Sequence, residues 1–250
     1  TSDDKPWADP FARMRLDEPE PDREPWKVEE LKLLFGSRVF TEGYRPDAGG
    51  GEAAYWLPLL ALFTGARQGE LAPLTVDDVQ TDEETGTVYL RITDDAELGA
   101  RVKTKASRRV VPVHPEVVRL GFLDIVAGRR KDGPRAQIFP LLKKGPRDGF
   151  AEAWSKWFGR YLKKLGIPDN GPVFHSFRHN FKDALRQKGV SEDANDALTG
   201  HSGGGVGRDY GAKGVATRFG MERLAHAVAK VEYPGLSLAH LYPPTDALLR

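Results

Sequence analysis

The chain has 250 residues, 40% of them hydrophobic and 29% charged, with a net charge of +1 and no cysteine. That composition is ordinary for a soluble globular protein, and the missing thiols exclude a disulfide framework, a cysteine nucleophile and thiolate zinc sites, in keeping with a reducing cytoplasm. No apolar run approaches the roughly 18 residues of a membrane span, and the acidic, proline-rich start is not a signal peptide.

The small net charge conceals an asymmetry. Arg101 to Arg147 carry 13 Lys/Arg against 3 Asp/Glu, a local net of +10, and residues 148–190 add +4. The earlier parts are acidic, with −4 over residues 1–24, −3 over 25–80 and −5 over 81–100. A basic middle suits a phosphate-binding face, although a solvated charged surface gives the same pattern.

Residues 1–24 mix proline with charge and lack apolar periodicity, which predicts a linker or tail and, by its position, a further module upstream in a longer protein. From Pro25 the spacing of Trp26, Val28, Leu31, Leu34 and Phe35 predicts a helix that stops at Gly36. After a turn-rich stretch, the apolar run Tyr55 to Thr64 predicts a buried helix ending near Gly65, followed by a short helix from about Arg67 to Leu74. The period then switches. Thr87 to Thr93 and Arg108 to Val113 read as short strands around a polar turn. Helices are expected again over Pro115 to Lys131 and Phe150 to Leu165, and the last third reads as three or four short helices broken at Gly189, Gly200 and Gly203 to Gly205. The expected class is therefore mainly α with a small antiparallel β-sheet, in one domain over residues 25–250.

Candidate chemistry sits in four segments. On the helix following His175, Phe177, Phe181, Ala184 and Leu185 recur at core spacing, which leaves His175 and Arg178 together on another side with Lys182 a turn further on. An imidazole beside a guanidinium suits a phosphate, the one moving a proton and the other forking two oxygens. Arg67 and Glu70, at i and i+3, can pair and so fix the guanidinium. Arg101, Lys103, Lys105, Arg108 and Arg109 crowd the presumed hairpin, where a lysine can reach a phosphate. Finally, His201 and Tyr210 flank a loop with four glycines in five positions, which can move or let backbone approach a ligand. A zinc reading of His175, His179 and His201 lacks the HExxH pattern and any cysteine.

Taken in order, TGARQGEL around Arg67, the hairpin lysine Lys103, His175 with Arg178, and GHS at His201 with Tyr210 nine residues later resemble the tyrosine recombinase, or phage integrase, family. The resemblance covers roughly residues 26–232 and implies the catalytic-domain fold of those DNA breaking-rejoining enzymes. It implies Arg67, Lys103, His175, Arg178, His201 and Tyr210 as catalytic residues, with Glu70 supporting them and Lys105, Arg108, Arg109 and Lys182 on DNA. The leaving-group acid can be Lys103 or Lys105, and the KTxxS context favours Lys103. The implied activity is site-specific recombination through a 3′-phosphotyrosyl bond, with no cofactor, metal or ATP. The implied partners are double-stranded DNA, three further subunits in a tetramer on DNA, and accessory DNA-bending proteins, the isolated domain being a monomer. A type IB topoisomerase-like enzyme and a non-catalytic DNA-binding regulator are the competing readings. The tail, about 214–250, either packs on a neighbouring subunit or on its own domain.

Overall fold

In the computed structural model, residues 24–93, 108–145, 150–200 and 220–244 are described. Lys103, Lys105, His201 and Tyr210 lie outside them, as does nearly all of the expected linker. The chain enters by setting Trp26 into the core. Its ring stacks on Phe177 at 4.8 Å, and its backbone exchanges two 2.8 Å hydrogen bonds with the Asn180 side chain. Helix α1 (Val28–Phe35) follows, with Gly36 at its C-cap as the spacing predicts, and then the single turn α2 (Arg38–Thr41).

Helix α3 (Glu52–Thr64) is buried on every side from Ala53 to Thr64, as expected of a helix apolar all round. It is the central post, and α4 (Gln68–Leu71) turns off its end. The sheet comes next: β1 (Val79–Thr81), β2 (Val88–Ile92) and β3 (Arg109–Pro112), antiparallel in that order. The two strands read from sequence pair with Leu90 opposite Val111 and Ile92 opposite Arg109. The added edge strand β1 was not legible, because three residues are too few to display a period of two.

The single helix expected over Pro115 to Lys131 is two, α5 (Pro115–Arg119) and α6 (Phe122–Arg130), divided where Gly121 adopts a φ of 90° that breaks a right-handed helix. Helix α7 (Ala151–Lys164) packs Trp154, Trp157 and Phe158 inward. Helix α8 (Ser176–Gln187) lies against α3 and buries Phe177, Phe181, Ala184 and Leu185, the face expected of it. Helices α9 (Glu192–Thr199) and α10 (Met221–Ala229) close the far side. Mainly helical with one small antiparallel sheet, the architecture is of the expected class.

The described part of the tail packs on its own domain. Helix α10 buries Leu224, Ala227 and Val228, the Tyr233 hydroxyl donates to the Leu62 carbonyl at 2.5 Å, and the His240 ring bonds the Phe35 carbonyl at 3.0 Å. This seam contains a buried histidine. The backbone N–H of Glu116 donates to His114 Nδ1 at 2.9 Å, so the proton sits on Nε2 and is donated to the Val231 carbonyl at 3.0 Å. Burial pushes the imidazole down to about 4, against a weaker upward pull from that carbonyl.

A group neutral in the fold and more basic in the unfolded chain stabilises fully above its unfolded value of 6.5 and loses that contribution as pH falls towards 4. Urea melts are therefore expected to show stability flat above pH 7 and declining by up to about 3 kcal/mol down to pH 4 from this residue alone. His114→Asn, which keeps an acceptor for the Glu116 N–H, removes that part of the slope. An unchanged slope in the variant would mean that another group carries the acid sensitivity.

Candidate active site

Glu70, at the third position of α4, is the hub of the site. Its carboxylate accepts from the Arg67 backbone N–H at 2.8 Å and from Arg67 Nη1 at 2.9 Å. From the opposite side Arg109 forks it, Nη1 to Oε1 at 3.1 Å and Nη2 to Oε2 at 2.8 Å. Burial alone would raise this carboxyl. The charge and hydrogen bonds of Arg109, with the N–H and charge of Arg67, instead bring it down to about 2. Glu70 is thus ionised at any physiological pH, and its burial is compensated on both flanks.

Arg178 reaches the same place from α8. Its Nη1 donates to the Gly65 carbonyl at 2.8 Å. That carbonyl is presented by a turn that only glycine fits, because φ is 62° and a Cβ would stand 2.6 Å from the Phe181 ring. The Nη2 of Arg178 is buried and has no hydrogen-bond partner among the described residues. A buried donor left in that state costs about 1–3 kcal/mol, more when it is charged. Burial, together with the charges of Arg67 and Arg109, pulls Arg178 down to about 9. Among the described residues three guanidiniums therefore gather about Glu70, while Asp196, which also acts on Arg178, is paired with Lys182; the surplus of positive charge in this largely buried setting is one that an anion would relieve.

His175 immediately precedes α8 and shares a cavity of about 420 Å³ with Arg67, Gln68, Ser155 and Phe174. Arg67 and His175 thus border one space, and Arg178, three positions on from His175 in α8, feels the charge of Arg67. His175 and His179 stand edge to face at 5.4 Å between ring centroids. Among the described residues no group of three His, Asp or Glu is arranged to hold a metal ion.

One expectation is corrected. Arg109 was placed on DNA, yet it is fully buried and its Nε donates to the Leu198 carbonyl of α9 at 2.7 Å. The strand explains this, since Arg109 shares a face with Val111 and lies opposite Ile92, both buried. Lys182, also expected on DNA, is partly buried and its ammonium pairs with Asp196 at 3.2 Å. Arg108 is exposed immediately before β3. Sequence reasoning missed the inward role of Arg109, and alternation left no signal for it, because β3 is buried along its whole length. The Gly65 carbonyl that holds Arg178 left no signal beyond the glycine itself.

The phage integrase family profile matches residues 52–213. The chain belongs to the phage integrase family. It has the tyrosine recombinase catalytic-domain fold, that of DNA strand transferases, and the matched span contains all six positions expected to be catalytic. Among solved structures, the integrase from mycobacterium phage Brujita superposes with a TM-score of 0.52 at 18% identity, over 92% of this chain and 67% of its own. The Tn1549 transposon integrase, in complex with transposon right end DNA, gives 0.51 at 24% identity, over 77% of this chain and 62% of its own. The integrase chain thus spans about two thirds of the length of these structures. No curated protein matches it in sequence. Among the described residues no helix is long and apolar enough to cross a membrane.

An oxyanion that bridges Arg67 and Arg178 should stabilise the fold. Sulfate at ten times its dissociation constant is expected to add about 1.4 kcal/mol to unfolding, read as a rise in Tm over a chloride control of equal ionic strength. Arg178→Met should abolish the rise, and its persistence would place the anion elsewhere.

Proposed function

We propose that this integrase is a site-specific DNA recombinase that cuts and rejoins DNA through a covalent bond to Tyr210. The observation that carries the reading is that Arg67 and His175 border one cavity, while the buried Arg178, whose Nη2 has no partner among the described residues, follows His175 by three positions on α8 and feels the charge of Arg67. Attack on a phosphodiester is slow because the anion repels nucleophiles and gathers further charge on its oxygens in the transition state. Preorganised guanidiniums neutralise that charge without reorganising, so Arg67 and Arg178 clamp the non-bridging oxygens. His201 adds a hydrogen bond to one of them.

In the first step the Tyr210 hydroxyl attacks phosphorus and gives its proton to His175. The bond to the 5′-oxygen breaks, Lys103 protonates that oxygen, and the products are a 3′-phosphotyrosine and a free 5′-hydroxyl. Lys105 is the alternative acid. Because the phosphotyrosyl linkage retains the phosphodiester's energy, attack by another 5′-hydroxyl reverses the step on a new strand without ATP. The arginines supply the charge neutralisation for which other phosphoryl-transfer enzymes use divalent metal.

Duplex DNA is the substrate in this reading, supported by the DNA present with the Tn1549 integrase. Exposed Arg108 and the neighbouring Lys105 then contact its backbone. Recombination pairs two duplexes, so the working assembly is a tetramer on DNA, assisted by DNA-bending proteins, and the isolated domain is a monomer that works in the cytoplasm.

The test uses nicked suicide duplexes bearing the ends of the integrase's own element, resolved on denaturing gels. We expect an EDTA-resistant protein–DNA adduct that Tyr210→Phe eliminates, and binding that weakens steeply with salt. Relaxation of supercoiled plasmid without strand exchange would favour a topoisomerase-like enzyme. Salt-dependent binding with no adduct from the full-length protein would favour a non-catalytic DNA-binding regulator.

A further inference from the structure

We infer that Arg109 sets the charge of the phosphate site, neutralising Glu70 from behind so that Arg67 meets the substrate with its charge undivided. The inference rests on the phosphate reading of Arg67 and Arg178. Three charged groups lie in series from surface to interior: the Arg67 side chain is 26% exposed, Glu70 2% and Arg109 0%. Their signs alternate. If Arg109 were absent, Glu70 and Arg67 would form a closed neutral pair, and the site would face a phosphate with Arg178 alone. With Arg109 bound as a bidentate fork to Glu70, the series carries one net positive charge and Arg178 adds a second.

That surplus matches the chemistry. A phosphodiester carries one negative charge at rest and approaches two as the phenolic oxygen adds and the 5′-oxygen has yet to leave. A site with one net charge would suit the bound ground state, and a site with two suits the transition state, which is where stabilisation raises rate. Arg109 touches no substrate, because it is fully buried. It is a positioning residue.

The same side chain joins segments that are distant in sequence. Strand β3 carries it six positions after Lys103 in the chain, its fork reaches α4 beside Arg67, and its Nε holds the Leu198 carbonyl three residues before His201. The buried cation thereby ties together the chain segments that lead to three of the expected catalytic positions.

The test compares Arg109→Met, Arg109→Lys and the double variant Glu70→Gln/Arg109→Met, each first checked for native circular dichroism and cooperative melting. In the double variant both buried charges leave together, a replacement that folds tolerate better than loss of one partner. With nicked suicide duplexes at saturating concentration, Arg109→Met should form adduct at least about tenfold more slowly than the parent, while its DNA dissociation constant stays within about twofold, since the salt-dependent backbone contacts are untouched. Arg109→Lys, which keeps the charge and loses the fork, should fall between them. The double variant restores the net charge and should react faster than Arg109→Met.

Sulfate affinity, read by thermal shift, should weaken in Arg109→Met and recover in the double variant whether or not the chain forms adducts. A parent that makes no adduct on its own ends, but shows this sulfate pattern, would overturn the recombinase reading and leave the charge role of Arg109 standing. A folded Arg109→Met with the parent's adduct rate and sulfate affinity would overturn the role of Arg109. So would a double variant no better than the single one, because a purely structural defect is not repaired by removing the second partner.

Discussion

A carboxylate shared between two guanidiniums is the constraint around which this domain is arranged. Glu70 is ionised deep in the protein only because Arg109 forks it from the interior and Arg67 bonds it from the cavity side. Such a group would be costly with either partner missing. The arrangement therefore fixes the pose of Arg67, and pose is what a bidentate phosphate contact demands.

The surrounding fold supplies rigid support for these polar groups. Helix α3, apolar on all sides, is the post from which the Gly65 turn presents its carbonyl to Arg178 and from which α4 departs with Arg67 and Glu70. Helix α8 packs its aromatic face on α3 and carries Arg178 inward, while α9 is stitched to α8 by Lys182 with Asp196 and by Asn195 with the Lys182 carbonyl. The site thus stands on packed helices and a strand, where side-chain geometry is held more tightly than on loops. Its electrostatics are strong because little water reaches it.

Much of this was legible in the sequence. Long apolar periodicities disclosed α1, α3, α7 and α8, since burial of a helical face imposes a repeat over several turns. The motif positions Arg67, Glu70, His175 and Arg178 were legible as a set because their order and spacing match one family's chemistry. Arg109 was misread because a run of basic residues suggests a charged surface, whereas β3 is buried along its whole length and sets this residue beside Val111 in the interior. The pairing of Lys182 left no trace in the sequence because its partner Asp196 lies 14 residues on, in another helix. Strand β1 and the break at Gly121 depend on pairing and on a single backbone angle, neither of which leaves a periodic trace.

The central claim is that Arg178 acts by neutralising charge on a phosphate oxygen. It is tested most directly by replacing the scissile phosphodiester with a neutral methylphosphonate in a suicide duplex, and comparing the parent with Arg178→Ala. If the arginine's work is neutralisation, the variant is inactive on the natural linkage and regains strand cleavage on the neutral one. A variant equally inactive on both, with DNA binding intact and the parent active on its natural substrate, would contradict the account.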